Sequence, residues 1–190
     1  MARDAEDTKR RLLEAAAQEF ADRGIAGARI DRIAATAKAN KALIYTYFGN
    51  KEDLFDAVFN ALVVDTVHDV PIDPDDLAGY AGRLFDRNLS HPQALRLAIW
   101  HALERGGTAA LPPAVIAANQ AKIEAIAAAQ AAGRISARFP PEELMVLITG
   151  MSILGSPDLA MLEPNSRDKR DQRRRAITDA VRALTEGEQA

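Results

Sequence analysis

The chain has 190 residues, with 24 Lys and Arg against 27 Asp and Glu, a formal charge of −3, 48% apolar residues and no cysteine. That composition suits a soluble globular chain with a proper core, and it excludes disulfides, thiolate metal sites and a cysteine nucleophile. No run of about 18 apolar residues is available to span a bilayer, and the charged start MARDAEDTKRR lacks the apolar stretch of a signal peptide, so a cytoplasmic location with no membrane partner is expected.

Alanine is abundant, Gly and Pro fall between periodic segments, and no segment alternates with period two for long. The pattern predicts an all-α chain of about nine helices. The first runs over about 4–23, with Leu12, Leu13, Ala16 and Phe20 at helical spacing and Gly24 as its stop. A short second helix over about 30–37 carries Ile30, Ile33, Ala34 and Ala37 on one face. Lys38-Ala39 makes a tight turn, Asn40 is a good N-cap, and a third helix reaches Phe48. Gly49-Asn50 separates it from a fourth, over about 51–68. Pro71 and Pro74 mark the next break, with Asp73 as the candidate cap of a fifth helix over about 75–90. Ser90 is the candidate cap of a sixth, which ends at Gly106-Gly107. Its Leu95, Leu97, Ile99, Trp100 and Leu103 fall all round it and predict a central position. Pro112-Pro113 and Pro140-Pro141 open the seventh and eighth, and Pro164 precedes a ninth over about 167–186.

The net charge is unevenly spread. Residues 1–55 hold ten Lys/Arg and nine Asp/Glu, whereas residues 56–190 hold fourteen and eighteen. Between 29 and 51, five bases (Arg29, Arg32, Lys38, Lys41 and Lys51) stand against Asp31, a local charge of +4, with Glu52 and Asp53 just outside. Such a patch suits phosphate contact at one end of an acidic body, and it equally suits a solvated helix face.

The stretch NKALIYTYFGNK, residues 40–51, separates these readings. With Ile44 on the core side of a helix, Phe48 and Tyr47 fall within about 60° of it, Ala42 and Thr46 point away, and Leu43 and Tyr45 flank the outer face. Lys41 sits in the first turn. Small and hydrogen-bonding groups fit base edges in a major groove, and Lys and Tyr hydroxyl fit phosphate. Two short helices joined by a tight turn have the dimensions of a helix-turn-helix.

Segment 8–59 resembles the DNA-binding domain of TetR-family (tetracycline-repressor-like) transcriptional regulators. The resemblance is carried by Leu12-Leu13, Ala15-Ala16 and Phe20, then Gly24, Ile33-Ala34, and Ile44-Tyr45-Thr46-Tyr47-Phe48-Gly49-Asn50-Lys51. It implies base-facing positions at Lys41, Ala42, Leu43 and Thr46, and phosphate-facing positions at Tyr45, Tyr47 and Lys51. The chain departs from the family pattern at Lys38, where glycine is usual, and at Ala28-Arg29, where a hydroxyl residue usually caps the second helix. Arg29 is the candidate for the lost phosphate contact.

The implied organisation is a helix-turn-helix domain over 1–52 and a helical ligand-binding and dimerisation domain over 53–190, with the fourth helix as connector. The implied partners are a pseudo-palindromic double-stranded DNA operator, a second copy of the chain, and a small-molecule effector. The eighth helix, LMVLITGMSILG, is apolar on nearly all sides, and the ninth carries Ile177, Ala180, Val181 and Leu184 as a stripe, so a homodimer through about 140–155 and 167–186 is expected. Tyr80, Phe85, Trp100, His101, Asn119 and Met151 are the candidate ligand contacts, because each adds a polar tip or soft surface to an apolar bundle; each also fits plain core packing. The run RDKRDQRRR at 167–175 contains two Asp and fits a solvated face better than a second nucleic-acid patch.

No catalytic constellation assembles from the sequence. His101 and Glu104 form half of a carboxylate-bridged metal motif, with no second copy. No enzyme activity, cofactor or metal is expected. The alternative to a regulator is a helical adaptor, which would not need phosphate-facing Tyr45, Lys41 and Lys51.

Overall fold

In the computed structural model, which describes residues 2–105, 111, 113–154 and 167–186, the described residues form nine helices and no strand. They are α1 (Ala2–Gly27), α2 (Ile30–Thr36), α3 (Lys41–Phe48), α4 (Lys51–Asp69), α5 (Leu77–Ser90), α6 (Pro92–Arg105), α7 (Pro113–Ala131), α8 (Pro141–Leu154) and α9 (Arg167–Thr185). The breaks expected at Gly106-Gly107, Pro112 and Pro164 lie outside the described residues. No helix among the described residues is long and apolar enough to cross a membrane.

The chain divides into two compact units, Met1–Val64 with Gln93–Val115, and Asp65–Pro92 with Ile116–Ala190. The first unit is built on Leu12, Ala16, Phe20, Ile33, Ile44, Leu54, Phe55 and Leu97, all fully buried. Phe20 meets Phe55 edge-on, with ring centroids 5.2 Å apart and planes at 87°, a favoured aromatic geometry. In the second unit, α5 packs against both α8 and α9. Tyr80, Phe85, Ile126, Leu144, Ile148 and Val181 form its buried centre. α9 passes close over Gly82, where a Cβ would come within 2.9 Å of the Arg174 guanidinium and 3.0 Å of Thr178.

Four local expectations change. Gly24 does not end α1. At φ 69° and ψ 178° it kinks the helix, which resumes for one further turn to Gly27. The cap of α5 is Asp76, whose carboxylate accepts from Gly79 N at 2.8 Å; Asp73 instead closes the preceding turn, accepting from Asp75 N at 3.0 Å. Ser90 belongs to the end of α5, where its hydroxyl donates to the carbonyls of Asp86 and Arg87, both at 3.1 Å, and so does not cap α6. The central position expected for α6 holds for Leu95 and Leu97, which are buried, but not for Leu103, which is 71% exposed.

Candidate nucleic-acid interface

The reading surface is fixed from beneath by α1 and from each end by caps. α2 ends in a Schellman turn: Ala39 N donates to Ala34 O at 3.0 Å and Lys38 N to Ala35 O at 3.1 Å. Lys38 takes the left-handed position of that turn, φ 51°, where glycine costs less. Asn40 caps α3 as the sequence predicts, its side chain accepting from Ala42 N at 2.8 Å. Asn50 does the same for α4, accepting from Asp53 N at 2.9 Å. The start of α2 has no side-chain cap, and Arg29 occupies that position. A carboxylate takes over part of the work: Glu19 of α1 accepts from Arg29 N at 3.0 Å and from the Arg32 guanidinium at 2.6 and 2.8 Å. The Arg32 contact holds the Glu19 carboxyl below its ordinary range, against the opposing effect of its burial.

α3 turns as the residue pattern requires. Ile44 is fully buried, while Leu43, Tyr47 and Phe48 are half-buried against the first unit's core. Lys41, Ala42, Tyr45 and Thr46 are exposed, and Tyr45 remains 49% exposed despite its aromatic ring. Tyr45 is thus the one aromatic of α3 left in water, since Tyr47 and Phe48 pack inward. Thr46 donates its hydroxyl proton to Ala42 O at 3.0 Å, leaving its oxygen free to accept. Arg29 is exposed at the start of α2. Lys51 starts α4 with its ammonium 3.3 Å from Ala26 O. Of the eight residues expected to face DNA, six are exposed or at a helix start, and two, Leu43 and Tyr47, are partly seated in the core.

Residues distant in sequence hold the end of α1, and no local pattern announces them. The carboxylate of Glu104, at the end of α6, accepts from Ile25 N at 3.0 Å and from Ala26 N at 2.8 Å. It caps the turn that follows the Gly24 kink, across almost eighty residues of sequence. One turn earlier, Trp100 Nε1 donates to Ala21 O at 3.2 Å. Arg105 pairs with Asp56 and donates to Glu52 O at 3.1 Å. The Gly24 position is closed to any side chain, because a Cβ would lie 2.3 Å from Glu104 Oε1 and 2.9 Å from the Trp100 ring.

The ligand candidates are spread between the units. Trp100 and His101 belong to the first, where His101 is buried and stacks on Phe59 at 4.8 Å and 10°. Tyr80, Phe85, Asn119 and Met151 belong to the second. Tyr80 and Phe85 are buried in its core, Met151 packs against that core, and Asn119 is exposed. The Tyr80 hydroxyl is buried without a hydrogen-bond partner, and that burial pushes its pKa up to about 12. An open groove of about 670 Å³ in the second unit is lined by Asp75, Asp76, Arg134, Arg182 and other residues, none of them among the six candidates.

A short helix, a Schellman turn and a second helix with methyl, hydroxyl, phenol and ammonium groups on its outer face define a helix-turn-helix DNA-binding protein. The chain belongs to the TetR family of bacterial regulators. Residues 12–58 match the family of bacterial regulatory proteins named for tetR, and residues 76–183 match the tetracyclin repressor-like C-terminal domain. Over 153 residues, 80% of this chain and 79% of its relative, it is 46% identical to the HTH-type transcriptional repressor SCO4008 of Streptomyces coelicolor. The solved structure of SCO4942, also from Streptomyces coelicolor, is 33% identical and aligns with a TM-score of 0.78, covering 94% of this chain and 98% of that one. AibR, solved in complex with isovaleryl coenzyme A and operator DNA, shares the fold at 22% identity and a TM-score of 0.68, covering 91% of this chain and 97% of that one. The protein is therefore a DNA-binding transcriptional regulator.

Proposed function

We propose that this regulator is a dimeric repressor released from its operator by a small molecule. Lys41, Ala42, Leu43 and Thr46 face bases in this reading, and Arg29, Tyr45, Tyr47 and Lys51 face phosphates. The observation that carries it is the outward face of α3, where Lys41, Ala42, Tyr45 and Thr46 are exposed around a buried Ile44. The first 52 residues read DNA, residues 53–190 bind effector and partner, and α4 joins the two functions.

Pairing through α8 and α9 is supported by what those helices leave uncovered. Val146 is 65% and Leu147 38% exposed on α8, and α9 exposes Ala176, Ala180 and Ala183, small enough for another helix to approach closely. A two-fold dimer would set two copies of α3 on the halves of a pseudo-palindrome. The six ligand candidates remain the residues to substitute first when an effector is sought. Effector binding that moves α4 would change the spacing of the two reading helices and so the fit to both half-sites.

A gel shift on the DNA upstream of the protein's own gene, at two salt concentrations, tests the reading. Retention should weaken with salt. Lys51→Ala should flatten the salt dependence by about one unit of log–log slope, and Tyr45→Phe should lose about tenfold through one charge-assisted hydrogen bond. Operator selected from random DNA covers the case of a distant site. Failure to retain any DNA at low salt would defeat the proposal.

A further inference from the structure

The face that presents α3 also presents a carboxylate. Asp31 lies in the first turn of α2 and Lys41 in the first turn of α3. The turn between the helices brings these two ends together, with Lys41 Nζ 2.8 Å from Asp31 Oδ1. The contact raises the lysine pKa, chiefly through that hydrogen bond.

The neighbouring pair shows what a structural carboxylate looks like. Glu19 is only 13% exposed and ties α1 to both the backbone and a side chain of α2. Asp31 is 76% exposed and Lys41 47%. An ion pair that open to water contributes little to holding a fold. Its consequence falls on whatever approaches the face.

We infer that Asp31 is a specificity-determining residue, which holds Lys41 in a neutral pair and repels the phosphate backbone of non-cognate DNA. The inference rests on α3 being the DNA-reading helix. Non-specific affinity comes almost wholly from cations on phosphates, each releasing counterions and adding about −0.9 to the slope of log affinity against log salt. A lysine tied to a carboxylate supplies less than its full share, and the carboxylate itself opposes phosphate at short range. On a cognate site, base acceptors in the groove replace the carboxylate as partner of Lys41. On other sequences nothing replaces it, so the cost of parting the pair stands. Asp31 lowers the competing affinity more than the wanted one, which is how a repulsive element raises specificity.

Asp31→Asn keeps the shape and removes the charge. Binding of the full-length protein and the variant to a random-sequence duplex and to the selected operator is followed by fluorescence anisotropy between about 50 and 200 mM salt. The variant should hold the random duplex about three- to tenfold more tightly at the lower salt, with a slope steeper by about one. The operator should gain less, so the ratio of the two affinities falls. In a Lys41→Ala background the steepening of the slope should vanish, because no lysine is left to free, and only the gain from removing the carboxylate's own repulsion should remain. An unchanged slope with random-duplex affinity within about twofold overturns the inference while leaving the DNA-reading role of α3 intact. A selective loss of operator affinity also overturns it, because Asp31 would then be reading a base. If neither protein binds either duplex at the lowest salt, the reading of α3 fails and takes this inference with it.

Discussion

At the end of α1, polar atoms from distant parts of the chain converge: Glu104 on Ile25 and Ala26, Trp100 on Ala21, Lys51 on Ala26. Around α5 the organisation is different. There α8 and α9 meet it through Leu84, Phe85, Leu144, Ile148, Ile177 and Val181, and the polar links, Ser152 to Ala81 O, Asn88 to Ser152 O and Arg174 to Asp86, lie around that apolar centre. Directional hydrogen bonds hold a helix to one orientation, whereas apolar packing tolerates repacking if volume is kept. Under the proposed function the first property suits the unit that carries α3, since a small tilt would take its side chains away from base edges, and the second suits a unit that would admit an effector. The unpartnered Tyr80 hydroxyl in that apolar centre fits the same contrast, since a buried hydroxyl without a partner costs free energy that a bound polar group would return.

The contrast can be tested first where it should fail. If the polar clamps held the first unit alone, its core would tolerate truncation. Phe20→Ala removes a fully buried ring that packs edge-on against Phe55. It should cost about 3–5 kcal/mol, read as a lower urea midpoint, a large part of the stability of a chain this size. A loss under about 1 kcal/mol would show that the clamps dominate. The clamps come next. Gly24→Ala forces a side chain into φ 69° and against both Glu104 and Trp100, with an expected loss of about 1–3 kcal/mol. Glu104→Gln keeps the shape and weakens two backbone caps, and should lose about 0.5–2 kcal/mol. Both should weaken operator binding beyond what their stability loss explains, because they loosen the seat of the reading helices. Equal binding by all three proteins under conditions where each is folded would remove the clamp from the function.

How far the sequence carries depends on the range of the interaction. The helix borders follow from Gly, Pro and Asn at expected places, and Asn40 caps α3 through a bond spanning two residues. The outward face of α3 follows from helical spacing around one core residue, Ile44. Interactions between distant residues leave no such trace. Nothing near Gly24 announces Glu104, and α6 presents Trp100 as an apolar residue among others. The Asp31–Lys41 pair is intermediate: the charges are visible, but only the turn geometry shows that they meet. Asp73 and Ser90 are plausible caps by residue type, but α5 starts two residues later than expected, which gives that work to Asp76, and the Ser90 hydroxyl turns back onto α5. The stripe on α6 suggested burial all round, and Leu103 shows that apolar residues outnumber the neighbours available to cover them within the chain.

His101 offers the smallest effect and the sharpest sign. Its ring is buried, stacked on Phe59 and on Phe55, and its Nε2 has no hydrogen-bond partner. Loss of hydration lowers its pKa first, and the positive charge of Arg105 lowers it further, against a weaker opposing pull from Asp56. The folded chain therefore binds the proton less readily than the unfolded one, whose histidine titrates near 6.5. Above that pH both states are neutral and the contribution to stability is intact. As the pH falls through about 6.5 the unfolded state gains protons first, and stability declines until the pH is below the folded pKa. Thermal midpoints of the wild type should therefore fall between about pH 7.5 and 5.5 more steeply than those of His101→Phe, which keeps an aromatic ring against Phe59 and Phe55 without a proton to accept. Comparing the two proteins removes the background of carboxylates such as Glu19, which titrate lower. Parallel pH profiles would mean that the proton reaches His101 without opening the fold, and that the stack with Phe59 is no barrier to it.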